Sequence, residues 1–100
     1  MPKIEAKHEV QGKSASEVYQ VCVSLVDTIG YRLFKKRDLA NLIICNEKLD
    51  GQKAALSIMV PFGNPTSITL NLNSDDLDES ALQVEVDRIW DVLSSNLMAS

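Results

Sequence analysis

Apolar and polar residues alternate from residue 3 to residue 11, with Ile4, Ala6, His8 and Val10 on one side and Glu5, Lys7, Glu9 and Gln11 on the other. A period of two predicts a half-buried strand. Gly12 and Lys13 turn the chain. Ser14 followed by Glu17 then forms a capping box, in which the hydroxyl takes a free amide of the first turn and the carboxylate returns to the cap's own amide. Val18, Val21, Cys22, Leu25, Val26 and Ile29 follow at helical spacing and draw one apolar stripe. Gly30 stands where a left-handed cap ends such a helix.

The period returns to two after Gly30. Residues 31–36 read as a strand, 37–40 as a turn, and 41–48 as a second strand carrying Leu42, Ile43, Ile44 and Cys45. Asp50-Gly51 adopts positive φ at low cost and predicts a tight hairpin turn. A third strand runs over 54–60, with Leu56, Ile58 and Val60 alternating against Ala55, Ser57 and Met59. Pro61, Gly63, Asn64 and Pro65 punctuate a loop. Residues 66–73 then alternate Ile68, Leu70 and Leu72 against Ser67, Thr69 and Asn71. An acidic segment from Ser74 to Glu79 opens the last helix, where Asp75, Asp76, Asp78 and Glu79 suit the positive end of the macrodipole. Leu82, Val86, Ile89, Trp90, Leu93 and Leu97 form its stripe. Leu82, Val84 and Val86 also alternate, but the longer helical stripe outweighs them.

The expected order is β-α-β-β-β-β-α. One apolar stripe per helix and one apolar face per strand predict an α+β two-layer sandwich, a curved antiparallel sheet with both helices on one face. This order resembles one half of the TATA-binding-protein fold, and a shortened helix-grip domain of the plant-allergen and lipid-transfer type. The resemblance lies in element order, and no functional residue carries over with it.

The 100 residues, 45% of them hydrophobic and 24% charged, fit a single soluble domain over 1–100. Ten basic against fourteen acidic side chains leave a net −4, which argues against nucleic acid or an anionic membrane as partner. Residues 1–53 hold nine basic and seven acidic side chains, whereas 54–100 hold one and seven, so the chain is dipolar. No apolar run is long enough to span a bilayer, and the first residues lack a signal peptide's apolar core. The reading places the protein in the cytoplasm.

Candidate chemistry is sparse. His8 is the single histidine, and it shares its strand phase with Ile4, Ala6 and Val10, which suits a partly buried side chain rather than a base. Cys22 lies mid-helix on the inward stripe and reads as a small hydrophobe. Cys45 shares a phase with Ile43 and is the better candidate for a reactive thiol. These three residues lack the paired spacing of a zinc site. An EF-hand frame laid on Asn71, Asn73 and Asp75 puts Asp76 where glycine is required and Leu82 where the bidentate glutamate is required. No phosphate loop surrounds any glycine. Neither a catalytic residue, a metal ligand nor a cofactor site is expected.

The outer face of the sheet is the least ordinary feature. If Leu56, Ile58 and Val60 face the helices, the other face is expected to be a mixed surface that carries Phe34, Ile43, Cys45 and Met59 among the polar Ser57, Thr69 and Asn71. Such an apolar centre suits self-association or a protein partner. A non-catalytic interaction module is therefore the leading reading. The alternative is a small apolar-ligand binder, with a cavity lined by Leu56 and Ile58 from the sheet and Val86 and Trp90 from the last helix.

Overall fold

A computed structural model describes residues 3–63 and 65–98; Met1, Pro2, Asn64, Ala99 and Ser100 lie outside them. The elements follow the expected order: β1 (Lys3–Val10), α1 (Ala15–Leu25), β2 (Tyr31–Arg37), β3 (Leu42–Lys48), β4 (Lys53–Met59), β5 (Thr66–Asn73) and α2 (Glu79–Met98). A short 3-10 turn, Asp38–Ala40, joins β2 to β3. The strands form one open antiparallel sheet in the order β1-β5-β4-β3-β2. The meander β2 to β5 is hairpin-connected, and β1 closes against β5 because α1 carries the chain from one edge to the other.

Both helix starts are capped as their sequences dictate. Ser14 Oγ accepts from the Glu17 amide at 3.2 Å, and Glu17 Oε1 accepts from the Ser14 amide at 3.1 Å. Asp78 Oδ1 accepts from the Ala81 amide at 2.8 Å and caps α2. The regular part of α1 ends earlier than its apolar stripe, at Leu25, and residues 26–30 finish as a tightened turn. There the Tyr31 amide donates to Val26 O at 3.1 Å and the Gly30 amide to Asp27 O at 3.0 Å. This pair is the Schellman closure, and Gly30 at φ +88° supplies its left-handed residue. The stripe continues through the closure, so Val26 and Ile29 still reach the core.

The two apparent periods at the start of α2 resolve in favour of the helix. Leu82 and Val86 are buried, while Val84 is 70% exposed. The core lies between layers, with Val18, Cys22 and Ile29 following α1, Ile58, Ile68 and Leu70 from the sheet, and Leu82, Ile89 and Leu93 from α2, all inaccessible. Among the described residues, no helix is long and apolar enough to cross a membrane.

The sheet extends beyond its cover at the β2 edge. Tyr31 is buried, but every later residue of β2 is exposed, including Leu33 and Phe34. Phe34 is the extra residue between the Leu33–Cys45 and Lys35–Ile44 pairs, a β-bulge that bends the edge. The connection beyond it is tied to α1 by Tyr19, whose hydroxyl donates to Asp38 Oδ1 at 2.6 Å.

Candidate interaction face

Residues paired across an antiparallel ladder point to the same side, so the register assigns both faces. Ile43 pairs with Ile58, and Cys45 with Leu56. All four are buried beneath the helices. This corrects the expectation that Ile43 and Cys45 lie outside: β3 carries Leu42 and Ile44 outward instead. The phase changes at an irregularity between Cys45 and Glu47, which no alternation in the sequence announces.

Two rows then cross the outer face. One runs Lys7, Thr69, Met59, Leu42, Arg37; the next runs Glu5, Asn71, Ser57, Ile44, Lys35. The centre is apolar at Leu42, Ile44 and Met59, polar at Ser57 and along β5, and charged at both edges. Met59 is 39% exposed and Phe34, at the bulge, 65%. Of the four residues expected on this face, Met59 is on it and Phe34 stands exposed at its margin, whereas Ile43 and Cys45 are core. Leu42 and Ile44 were missed because four apolar residues in a row carry no phase.

Charge is segregated between the layers. The outward positions hold Lys3, Lys7, Arg32, Lys35, Arg37 and Lys53 against Glu5, Glu9 and Glu47. That leaves four cations against eleven anions for the helices, loops and inner positions. Arg32 and Lys53 both pair with Glu47, at 3.2 and 3.5 Å. Lys35 and Arg37 make no ion pair among the described residues, and each sits beside an apolar neighbour in its row.

The expected ligand cavity is filled. Leu56, Ile58 and Val86 are at most 1% exposed and belong to the continuous core. Only Trp90 borders open space, a pocket of about 400 Å³ between the β1–α1 turn (Val10, Gly12, Lys13) and α2 (Ser94, Leu97). One face of its indole is covered by His8, whose ring stacks at 4.0 Å between centroids and 4° between planes. His8 is thus a packing partner of α2, placed by β1.

The cysteines are sequestered. Burial raises the Cys22 thiol to about 12 and the Cys45 thiol to about 11, so Cys45, expected on the outer face as the better candidate for a reactive thiol, is enclosed in the core like Cys22. Both are free and buried. A polar cluster absent from the sequence reading lies at the opposite end of the core. Glu85, 8% exposed on α2, accepts from Tyr31 Oη at 2.8 Å and from Arg88 Nε at 2.7 Å, and pairs with Lys48 Nζ at 3.2 Å. Arg88 also donates to Ile29 O at 2.6 Å. Burial opposes the Glu85 charge, but the bonds from Arg88, Tyr31 and Lys48 prevail and hold its carboxyl down at about 2. The cluster joins the ends of α1, β2 and β3 to α2, and all of its partners are internal.

No protein-family model matches the chain, and no curated protein matches it.

Proposed function

We propose that this is a non-catalytic interaction domain that docks a protein partner on the outer face of its sheet. The observation that carries the reading is the uncovered row of Leu42 and Met59, continued by Ile44, with Phe34 at its margin. An antiparallel sheet can leave one face in water, but such a face then ordinarily alternates to polar residues at its centre. Here polar residues occupy β5, the edges and Ser57 of β4, while Leu42, Ile44 and Met59 form an apolar group at the centre. The sequestered thiols and the packed His8 support a structural use of these residues. The test is affinity purification with the wild-type domain and with Ile44→Lys, followed by reconstitution from purified components. A partner that binds the wild type and is lost from a folded Ile44→Lys supports the reading. A partner retained equally by both overturns it.

A second reading, small-ligand binding, keeps only Trp90 of its original lining. The pocket beside the indole favours it, being near the lower end of the ~300–1,000 Å³ usual for ligand sites. A mass adduct on the native protein that disappears in Trp90→Ala would support it.

A further inference from the structure

Resting on the docking reading above, we propose that the partner of the outer face is an acidic protein segment, one whose apolar side chains are flanked by carboxylates. A protein of net −4 presents on this one face six cations and three anions, while the remainder of the molecule is strongly acidic. Complementary potential steers encounter and fixes register. Lys35 and Arg37 are the cations best placed to use. Both are exposed, neither is ion-paired among the described residues, and their ladder partners are Ile44 and Leu42. A carboxylate bound to either therefore comes with an apolar contact one strand away.

The same pattern discriminates among partners. Face-to-face pairing of two copies would oppose net positive surfaces. A polyphosphate backbone presents continuous negative charge, and Glu5, Glu9 and Glu47 interrupt the cations that would have to follow it. Base stacking also needs several aromatic side chains interleaved with the cations, and beside the two rows across β1 to β5 only Phe34 stands at the margin. A protein segment carries discrete carboxylates and aliphatic anchors, which match cations at one margin of an aliphatic centre. The bulge at Phe34 and the basic edge of β2 disfavour simple strand addition, so docking uses the face rather than the edge.

The test is a titration of isotopically labelled protein with a synthetic amphipathic Leu/Glu peptide. The same peptide with Lys for Glu, a single-stranded oligonucleotide and phosphatidylserine vesicles are titrated in parallel. The proposal expects shifts centred on Leu42, Ile44 and Met59, and binding that weakens several-fold from about 50 to about 300 mM salt. It also expects at least about a tenfold loss in the Lys35→Glu/Arg37→Glu double variant, with folding unchanged. Equal binding of the two peptides, preference for the oligonucleotide or vesicles, or self-stacking of the free protein through this face overturns it. If Ile44→Lys abolishes a reconstituted partner's binding while salt and charge reversal do nothing, the docking reading stands and the acidic partner falls.

Discussion

The Tyr31 hydroxyl donates a 2.8 Å hydrogen bond to Glu85 Oε2 across 54 residues of sequence, joining the first residue of β2 to the middle of α2. The bond holds the one largely buried carboxylate of the described core against three donors. Glu85 is lowered to about 2 from a usual 4.5. Because the folded value is depressed, its stabilisation is complete above the unfolded value and is lost as pH falls from about 4.5 through about 2. The shift corresponds to about 3 kcal/mol. Acid titration of the wild type should therefore show a destabilising limb in that window, reduced in Glu85→Gln, where only the lowered carboxyls of Glu17 and Asp38 remain. Glu85→Ala, which leaves Arg88, Lys48 and Tyr31 without their acceptor, should cost about 2–4 kcal/mol in urea unfolding at neutral pH.

Neighbouring residues of β3 should respond in opposite ways to the same substitution. Ile43→Lys places an ammonium in the closed core and should cost at least about 4 kcal/mol, enough to prevent folding of a domain this size. Ile44→Lys points outward, and its change should stay within about 1 kcal/mol by thermal or chemical unfolding. The reverse result would invert the faces and remove the basis of the docking surface.

Thiol chemistry offers a second check on the same register. With Cys22 and Cys45 buried and their ionisation pushed to about 12 and about 11, neither should react with an aromatic disulfide at neutral pH. Both should react on unfolding, so labelling should follow the fraction unfolded as denaturant is raised. Rapid modification of Cys45 in native buffer would contradict its pairing with Leu56.

Gly30 and Asn41 carry backbone conformations that should be separable by substitution. Nothing lies within 4 Å of a Cβ built on Gly30, so Gly30→Ala should cost only the conformational term at φ +88°, about 1 kcal/mol. Asn41 adopts φ 48° at the entry to β3, is 3% exposed, and its Nδ2 has no partner among the described residues. Asn41→Gly keeps the backbone and removes the orphan donor, so stability should hold or rise by up to about 1 kcal/mol. Asn41→Val should lose about 1–3 kcal/mol in the same unfolding assay.

Much of this architecture was legible because local patterns act at short range. The capping box at Ser14 and Glu17, the glycine after Ile29 and the alternation of Ile68, Leu70 and Leu72 each specify an element through contacts within a few residues. The order of elements then left the antiparallel sandwich as the economical packing. Leu42 to Cys45 escaped such reading, since an unbroken apolar run fits either face. Glu85 escaped it too, because Tyr31, Lys48 and Arg88 converge on it from elements that meet only in the folded chain.

The sequence by itself determined the elements, their order and the layer that would close the core, since hydrophobic period and capping chemistry are properties of local chain geometry. Tertiary structure decided which side of β3 faces water, where the free cations gather and which carboxylate is buried. Those depend on strand register, and here an irregularity between Cys45 and Glu47 resets that register through pairing with strands on either side. A single residue of slip exchanges core for surface, and the energy that selects between them is the burial of Ile43 and Cys45 against a helix layer encoded elsewhere in the chain.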